Sequence, residues 1–535
     1  MLLHPMKTLL KRVLARFPIW GPSFFSILIS TVFLFLSFPG HSAALFAWIG
    51  LIPFLRTIRS LKLPQAAGGA YCFGILLYGA LIYWLYHVTF IGLIALVLYL
   101  SLYPCIFAVL FKRGISRHQT CTETRRLLPR PLTQALYAAS LWVLLEYIQG
   151  HLLTGFGWCL LGHSQYTNNL FTQIADITGV YGVSFLVMMA NSVGAEIVDE
   201  VYARRPASLF YLSRDIKQSA LIVFLVISLV LGYGVYRLRE SHDGYPVTLS
   251  VIQGNIPQHE KWDAELAPVI FSKYQALTRM AALESPDLII WPETATPGYF
   301  TEPHIRTQVE ALARENKTPL LVGSPECVEE GMRTVYYNSA FLLSQDGVAA
   351  GVYRKLHLVP FGEYVPLSPL IDFVFPLDQF AVFSPGDEFV IFNMPKGPQS
   401  SFGVLICFED IFPGLVRRFV LSGADFLVNI TNDAWFGKTS APYQHAAASV
   451  FRAIENRRWV IRCANTGVSC FISPHGIMKR TLADSGGEQL FTTVLDTYPI
   501  RISQEKTFYT RWGDVWLFFP LTFCILYTVP AWKKQ

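Results

Sequence analysis

The sequence predicts a polytopic α-helical membrane bundle of eight spans joined to an extracytoplasmic α/β domain. Composition is the first reason: 52% of the 535 residues are hydrophobic, 15% are charged and the mean hydropathy is +0.38, whereas soluble chains carry about 25% charged residues. Patterning is the second, because long uncharged stretches recur within residues 1–240 and 515–532. The third is that residues 246–500 contain short apolar runs broken by turns, which are typical of a layered α/β domain.

The spans are predicted from uncharged stretches, since about 20 helical residues cross a bilayer. Residues 17–55 provide two spans with a turn near residues 39–42, and residues 63–111 provide two more with a turn near residues 87–89. The other four spans are centred on Ala135–Gln149, Gly179–Ala195, 218–236 and 515–532. A cleavable signal peptide is the alternative for the first stretch, but its apolar core is long and a second span follows at once.

Basic residues set the predicted orientation. They occupy every second connection and both ends: Lys7–Arg16, Arg56–Lys62, Lys112–Arg130, Arg204–Lys217 and Lys533–Lys534. The alternate connections, near residues 39–42, 86–90 and 150–175, contain no Lys or Arg. The positive-inside rule therefore predicts that both termini are cytoplasmic and that residues 246–500 lie outside. The same distribution accounts for the net charge of +6 without a nucleic-acid partner.

Short apolar runs predict the strands of the second domain. They lie at Val247–Gln253, Leu288–Trp291, Leu320–Gly323, Ala340–Ser344, Val404–Cys407, Phe426–Ile430, Val460–Ala464 and Ser469–Ser473. Amphipathic periodicity predicts helices at Ala267–Glu284 and Tyr443–Arg458. Nine cysteines are scattered without a CxxC pair, so neither a zinc ribbon nor a disulfide framework is indicated.

The stretch Phe402–Asp410 carries the candidate nucleophile. It places Cys407 at the C-terminal end of an apolar run, and α/β folds often place reactive side chains at such strand ends. A thiol needs a base or a nearby positive charge to act as a nucleophile. Two upstream stretches supply both: Asp287–Glu293 ends in a carboxylate, and Tyr353–Pro366 carries Lys355 and Glu363. A lone buried cysteine is more often a small hydrophobic residue, so the prediction depends on the whole set.

The motifs Trp-Pro-Glu, Tyr-Arg-Lys-Leu-His-Leu-Val-Pro-Phe-Gly-Glu-Tyr-Val-Pro and Cys-Phe-Glu, in this order, resemble the nitrilase (carbon–nitrogen hydrolase) superfamily. The residues within these motifs resemble the apolipoprotein N-acyltransferase family more closely still, and the resemblance covers most of the chain. It implies an α-β-β-α sandwich for residues 246–500 and a Glu-Lys-Cys triad. Cys407 would be the nucleophile, Glu293 the general base and Lys355 the cation that stabilises the oxyanion.

Three further residues are expected to support the triad. Glu363 would hold Lys355 and Glu293 in register, although a turn carboxylate is the simpler interpretation. The backbone N–H of Phe408 is a candidate oxyanion donor. Glu409 is expected to orient the loop after the nucleophile.

The candidate substrate-binding residues are Trp262, Trp435, Phe373, Phe375 and Glu146. Trp435 lies in a loop that resembles the family's loop beside the pocket. The two phenylalanines lie in the apolar segment 365–377, which is expected either to pack on the core or to form a lid that dips into lipid. Glu146 lies within a predicted span, where a carboxylate is costly and often functional; a carboxylate hydrogen-bonded to its own bundle is the equally weighted alternative.

The resemblance implies an N-acyltransferase of the bacterial inner membrane with its catalytic domain in the periplasm. The acyl donor would be a membrane phospholipid and the acceptor the N-terminal amine of a diacylglyceryl-modified apolipoprotein. No cofactor and no metal are expected. Two alternatives remain open, namely a membrane-anchored amidase of the nitrilase type and a catalytically inactive membrane scaffold.

Overall fold

A computed structural model of the chain describes residues 21–41, 43–121, 128–204, 212–240, 244–364 and 383–528. The described residues form two compact units. The first lies within Met1–Ile174, Val180–Val235 and Asp514–Gln535, and the second within Ala175–Gly179 and Tyr236–Gly513. One boundary between the two units follows Gly179, whose backbone φ of 64° interrupts the long helix Ala175–Arg204.

Helices of the first unit follow the apolar stretches of the sequence. Their bounds are α1 Pro22–Ser37, α2 Ala47–Gly50, α3 Ile52–Ser60, α4 Leu63–Leu81, α5 Phe90–Leu100, α6 Leu102–Cys121, α7 Arg130–Gln149, α8 Asn169–Thr172, α9 Ala175–Arg204, α10 Arg214–Leu238 and α16 Phe518–Thr528. Five short 3₁₀ turns accompany them, at Ala44–Phe46, Tyr83–His87, Leu152–Thr154, Leu161–Gln165 and Gly513–Leu517.

Within the described part of the chain, three helical stretches are long and apolar enough to cross a membrane: Phe90–Arg117, Ala175–Ala203 and Arg214–Leu238. They correspond to the predicted fourth, sixth and seventh spans. Helices also occupy the other predicted spans, but they are shorter or more polar than these three. The total of eight spans therefore stays a prediction.

Buried polar side chains fix the helices of the first unit to one another. Asn191 of α9 donates its amide to the Ala47 carbonyl at 2.8 Å and accepts the Leu51 N–H at 2.8 Å. Arg59 of α3 forms an ion pair with Glu196 of α9 at 2.8 Å. In a setting that offers few water partners, such pairings remove the cost of unsatisfied polar groups and define one register.

The second unit contains two six-stranded sheets. Their strands are β1 Pro246–Gln253, β2 Leu288–Ile290, β3 Leu320–Glu330, β4 Arg333–Leu343, β5 Ala349–Arg354, β6 Ile391–Asn393, β7 Ser401–Ile406, β8 Phe426–Thr431, β9 Val460–Ala464, β10 Cys470–Ile472, β11 Met478–Thr481 and β12 Val494–Arg501. The strand orders are β12-β1-β2-β3-β4-β5 and β11-β10-β9-β8-β7-β6. The centres β1-β2-β3 and β7-β8-β9 are parallel, and the other pairs are antiparallel.

Helices cover the two sheets. Their bounds are α11 Ala267–Ala282, α12 Pro303–Asn316, α13 Pro413–Leu421, α14 Ala441–Asn456 and α15 Phe508–Trp512. Helix α11 contacts the first sheet and also contacts α12, whose apolar side chains share the core of that sheet. Helices α13 and α14 contact the second sheet, and β1 and β4 contact β9 and β7 across the interface between the sheets. The result is the four-layer α-β-β-α arrangement that buries both faces of each sheet.

Strand bounds differ from the sequence prediction, most for the predicted strands Leu320–Gly323 and Ala340–Ser344, which form the longer strands β3 and β4. The predicted strands Leu288–Trp291 and Val404–Cys407 each end one residue earlier, at Ile290 and Ile406. For Cys407 the reason is its left-handed backbone, with φ of 54°, which cannot continue an extended ladder. In the second unit, the sequence analysis missed β5, β6, β11 and β12 and the helices α12, α13 and α15.

Candidate active site

The nucleophile candidate lies where β7 turns sharply. Cys407 is the first residue of the 3₁₀ turn Cys407–Ile411, and its side chain is half-buried. A left-handed backbone costs an L-residue roughly 1–2 kcal/mol, so surrounding contacts must hold this turn. Two side chains do so by binding the Cys407 carbonyl oxygen: the Asn429 amide nitrogen at 3.0 Å and His445 Nε2 at 3.2 Å.

The base candidate follows β2 in the other sheet. One carboxylate oxygen of Glu293 accepts from Asn338 Nδ2 at 2.8 Å, and the other accepts from the Asn432 backbone N–H at 2.8 Å. The loop of Glu293 lies so close to β3 that a Cβ at Gly323 would come within 2.2 Å of the Pro292 carbonyl oxygen. Glycine at that position therefore lets the base approach the sheet.

Lys355 follows β5 and lies between two carboxylates. Its Nζ is 2.8 Å from Glu363 Oε1 and 3.7 Å from Glu293 Oε1, and its side chain is 1% exposed. Asn338 Nδ2 donates to the same two carboxylate oxygens, at 2.8 Å each. The Lys355 ammonium and the Asn338 amide therefore both bridge Glu293 and Glu363.

Glu363 also closes the loop that follows Lys355. Its second oxygen accepts the Val359 N–H at 2.8 Å, and its own N–H donates to the Val359 carbonyl at 2.9 Å. Glu363 thus contacts Lys355 directly and is bridged to Glu293 by Asn338.

Electrostatics favour a neutral thiol and a charged lysine. Burial and the negative charge of Glu293 raise the pKa of the Cys407 thiol well above its usual value, and the opposing effect of Lys355 is smaller. Burial alone would lower the pKa of Lys355, but Glu363 and Glu293 together raise it above its usual value. The arrangement can therefore hold a permanent cation beside a protonated thiol that needs a base to remove its proton.

Glu409 connects the lysine segment to the cysteine strand. Its carboxylate accepts the Tyr353 hydroxyl at 2.8 and 2.9 Å, the Leu356 N–H at 2.7 Å and the Ile406 N–H at 2.7 Å. Burial raises the pKa of Glu409 to about 7 although these donors favour its charged form. Its contacts extend further than the sequence analysis expected, because they hold β5 as well as the turn after the nucleophile.

Two polar residues of the site were missed from the sequence. Asn338 sits within β4 and has no motif around it, so its role depends on the pairing of β4 with β5. Lys261 is 3% exposed, and its Nζ donates to the Glu293 carbonyl at 3.2 Å and to the Thr294 carbonyl at 3.0 Å. Burial lowers the pKa of Lys261 to about 7, against the opposing charge of Glu293. A lone loop lysine carries no sequence signal for this contact.

The candidate substrate-binding residues occupy different settings. In the second unit, Trp262 is 52% exposed and Trp435 is 49% exposed. Phe373 and Phe375 lie outside the described residues, as does the whole segment 365–377. In the first unit, Glu146 is buried and accepts from the Leu161 N–H at 2.7 Å and from Trp142 Nε1 at 3.0 Å.

Glu146 faces a small cavity of the first unit that is otherwise mainly apolar. The cavity is lined by Leu34, Phe38, Leu77, Tyr78, Trp142, Glu146, Gln149, Cys159, Leu160 and Leu161. Tyr78 donates its hydroxyl to Gln149 at 3.0 Å on the same wall. Among the residues that the structure describes, no group of three or more His, Cys, Asp or Glu side chains is placed to hold a metal ion.

Comparison with known proteins divides the chain in the same two parts. The family model "Apolipoprotein N-acyltransferase N-terminal domain" matches residues 30–193, and the model "Carbon-nitrogen hydrolase" matches residues 248–498. An apolipoprotein N-acyltransferase of Geobacter metallireducens is 40% identical over 501 residues, with 91% of each chain covered. One of Chlorobaculum tepidum is 31% identical over 530 residues, covering 92% of this chain and 93% of the relative. The crystal structure of Saccharomyces cerevisiae Nit3, from the nitrilase superfamily, is 17% identical with a TM-score of 0.37, covering 48% of this chain and 90% of that chain.

Proposed function

The chain belongs to the apolipoprotein N-acyltransferase family, and on that premise we propose how it works on its lipid substrates. The enzyme moves an acyl chain to the N-terminal amine of a diacylglyceryl-cysteine lipoprotein, the last step of lipoprotein maturation. The donor in this proposal is a membrane phospholipid, and the acyl chain passes through a thioester on the protein.

One observation carries the assignment of the site. Strand ends from both sheets bring Glu293, Lys355 and Cys407 close enough for the two charges to act on the thiol. The three residues lie far apart in the sequence, and the lysine and base are held by dedicated partners. This supports a catalytic triad rather than three unrelated buried residues.

In the first half-reaction, Glu293 takes the proton of the Cys407 thiol as Sγ attacks the ester carbonyl. Negative charge develops on the carbonyl oxygen, where Lys355 and the Phe408 N–H stabilise it. The C–O bond then breaks, and the leaving alkoxide takes the proton from Glu293. The products are an acyl-Cys407 thioester and a lysophospholipid.

In the second half-reaction, the lipoprotein amine attacks the thioester carbonyl and gives a proton to Glu293. The C–S bond breaks, the amide forms and the thiolate recovers the proton. The thiol and the carboxylate are thereby restored, and no cofactor is consumed. Because the same base serves both halves, its position matters twice.

We propose further that the first 240 residues form a membrane domain of seven spans, residues 246–500 the catalytic domain and residues 515–532 an eighth span. The termini would be cytoplasmic and the catalytic domain periplasmic, in the inner membrane of a bacterium. The basic connections support this orientation, and the three long apolar helices support a membrane-spanning domain.

Acyl chains would meet the exposed rings of Trp262 and Trp435 near the site. The apolar segment 365–377, here called the lid segment, contains Phe373 and Phe375 and directly follows the loop closed by Glu363. We propose that it dips into lipid and excludes water from the thioester. Glu146, within the membrane domain, is proposed to bind the polar part of a substrate.

The test is mass spectrometry of the purified protein after incubation with phospholipid, with and without a diacylglyceryl peptide. Phospholipid alone should leave a hydroxylamine-labile acyl adduct on Cys407, and the peptide should remove it as the N-acyl product appears. An enzyme of the amidase type, which passes the acyl group to water, would release free fatty acid without acylating the peptide. An inactive scaffold would form no adduct. Hydrolysis without transfer, or no adduct at all, would contradict this proposal.

A further inference from the structure

A buried group of four charged side chains lies next to the nucleophile and takes no part in the chemistry above. Asp410, Asp433, His445 and Arg462, here called the buried ionic cluster, are all at most 1% exposed. They come from the turn after β7, the turn after β8, helix α14 and strand β9. The cluster thus joins four elements at the edge of the second sheet where Cys407 lies.

Hydrogen bonds within the cluster decide the protonation of its histidine. His445 Nδ1 lies 3.0 Å from Asp433 Oδ1, and Nε2 lies 2.9 Å from Asp410 Oδ1 and 3.2 Å from the Cys407 carbonyl oxygen. Carboxylate and carbonyl oxygens only accept hydrogen bonds. Both ring nitrogens must therefore donate, which only the imidazolium form can do.

The balance of charges within the cluster also favours the imidazolium form of His445. Arg462 Nη1 is 2.6 Å from Asp410 Oδ2, and Arg462 Nη2 is 3.7 Å from Asp433 Oδ2. With an imidazolium the cluster has two positive and two negative charges, whereas a neutral ring would leave an uncompensated buried carboxylate. The charges of Asp410 and Asp433 accordingly raise the pKa of His445 to about 9, although burial and Arg462 oppose this.

The geometry of one peptide bond connects the cluster to the reaction. The Cys407 carbonyl and the Phe408 N–H belong to the same planar trans peptide and point in opposite directions. When His445 and Asn429 bind the carbonyl oxygen on one side, the N–H is fixed on the other. These two contacts add to the one that Glu409 makes with the Ile406 N–H in holding the left-handed backbone of Cys407.

We propose that His445 is a buried imidazolium that acts as a positioning residue: by binding the Cys407 carbonyl it aims the Phe408 N–H at the oxygen of the acylating ester. This inference rests on the proposed function, because it needs an oxyanion to form at Cys407. His445 itself touches neither substrate nor the reacting atoms. Its contribution appears when negative charge develops on the carbonyl oxygen.

The test compares two reactions of the same thiol in the full-length enzyme. Acylation by phospholipid forms an oxyanion, whereas alkylation by iodoacetamide displaces iodide and forms none. The variant His445→Gln/Asp410→Asn removes one positive and one negative charge, so the cluster stays neutral. His475→Gln is the matched control, since His475 lies in the turn between β10 and β11, three strands away from β7.

The double variant should form the thioester about 10–10²-fold more slowly, less than the 10²–10³-fold typical of losing an entire oxyanion donor. Its KM for phospholipid and its alkylation rate should stay close to those of the wild type, and His475→Gln should change neither reaction. Wild-type acylation rates in a folded double variant would overturn the proposal. A parallel fall of acylation and alkylation would also overturn it, because the whole nucleophile would then have moved.

A second measurement holds even if the double variant does not fold. The ¹⁵N spectrum of histidine-labelled wild-type enzyme at neutral pH should contain one signal pair of a buried imidazolium that is insensitive to mild alkalinisation. Assignment uses the His475→Gln spectrum and the loss of signals in His445→Gln. A neutral ring at His445 would refute the inference. If the wild type instead formed no thioester, the proposed function would fail while the ring's protonation would still be measurable.

Discussion

Removing Lys355 should damage the base as well as the oxyanion site. Glu293 and Glu363 each accept from Asn338 Nδ2 at 2.8 Å, so their oxygens are at most twice 2.8 Å, or 5.6 Å, apart. Two negative charges at that distance repel by about 3 kcal/mol at an effective dielectric constant of about 20. Without the Lys355 cation between them, the pair should take up a proton, and a protonated Glu293 cannot accept one from the thiol.

Acylation by the Lys355→Met variant should therefore slow by more than the factor of about 10²–10³ expected for the loss of one oxyanion donor. The protonated base should slow it by up to about 10²-fold more, since 1.4 kcal/mol corresponds to a factor of about ten in rate. Adding Glu363→Gln removes the second carboxylate and should make the double variant faster than Lys355→Met alone. In the wild-type background the same Glu363→Gln change should slow acylation, because Lys355 loses its partner at 2.8 Å.

The assay is single-turnover acylation of Cys407 by phospholipid, read by mass spectrometry for all four proteins of the cycle. Thermal unfolding of each variant controls for lost stability. A double variant as slow as Lys355→Met, or slower, would show that the two carboxylates do not compete for a proton, and the reasoning about the base would be wrong.

Four further outcomes are expected. Cys407→Ala should lose both the acyl adduct and transfer, while Cys463→Ala should keep both, because the buried Cys463 thiol donates to backbone carbonyls of β1 and β2. Glu293→Gln should slow acylation by about 10²–10⁴-fold in the same assay, as expected for a lost general base; a near-normal rate would remove its role. The free energy of unfolding should fall as pH rises from the unfolded histidine pKa of about 6.5 through the folded pKa of about 9 for His445, since a raised histidine pKa stabilises the fold only while the ring is protonated. In denaturant titrations, the free energy of unfolding of wild type should fall with pH more steeply than that of His445→Gln/Asp410→Asn inside this pH window; equal slopes there would contradict the assignment. Replacing both phenylalanines of the lid segment with Ser should weaken transfer from membrane-embedded phospholipid more than alkylation by iodoacetamide; an equal loss of both with unfolding would place the segment in the core.

Periodicity revealed the fold where strands are central and failed where they lie at an edge. The runs around Val404 and Phe426 are buried on both faces, so they read as continuous apolar segments. The edge strands β6 and β11 are three and four residues long and partly exposed, so their residues resemble ordinary loops. Helix α12 is strongly polar on its outer face, which hid its short apolar stripe at Ile305, Val309 and Leu312.

The site divides along a similar line. Glu293, Lys355 and Cys407 stand in distinctive local motifs and could be selected from the sequence. Asn338 could not, because its importance comes from the pairing of β4 with β5, which places its carbonyl against the Lys355 N–H at 2.9 Å. Long-range pairing of this kind has no local signature, and the same holds for His445, whose hydrogen-bond partners lie on two other elements, the turns after β7 and β8.

The protonated state of the resting thiol bears on what the enzyme must avoid. Burial and Glu293 raise the pKa of Cys407, so in the proposed mechanism the thiolate exists only while Glu293 holds its proton. Oxidation and adventitious alkylation both require the thiolate, and the proposed periplasmic site is an oxidising compartment. A site that forms the thiolate only during ester attack limits both losses, whereas a stable thiolate–lysine pair would be exposed to them between turnovers. The two carboxylates around Lys355 therefore do more than hold the lysine. They balance its positive charge, so that Lys355 does not stabilise a thiolate at Cys407 between turnovers.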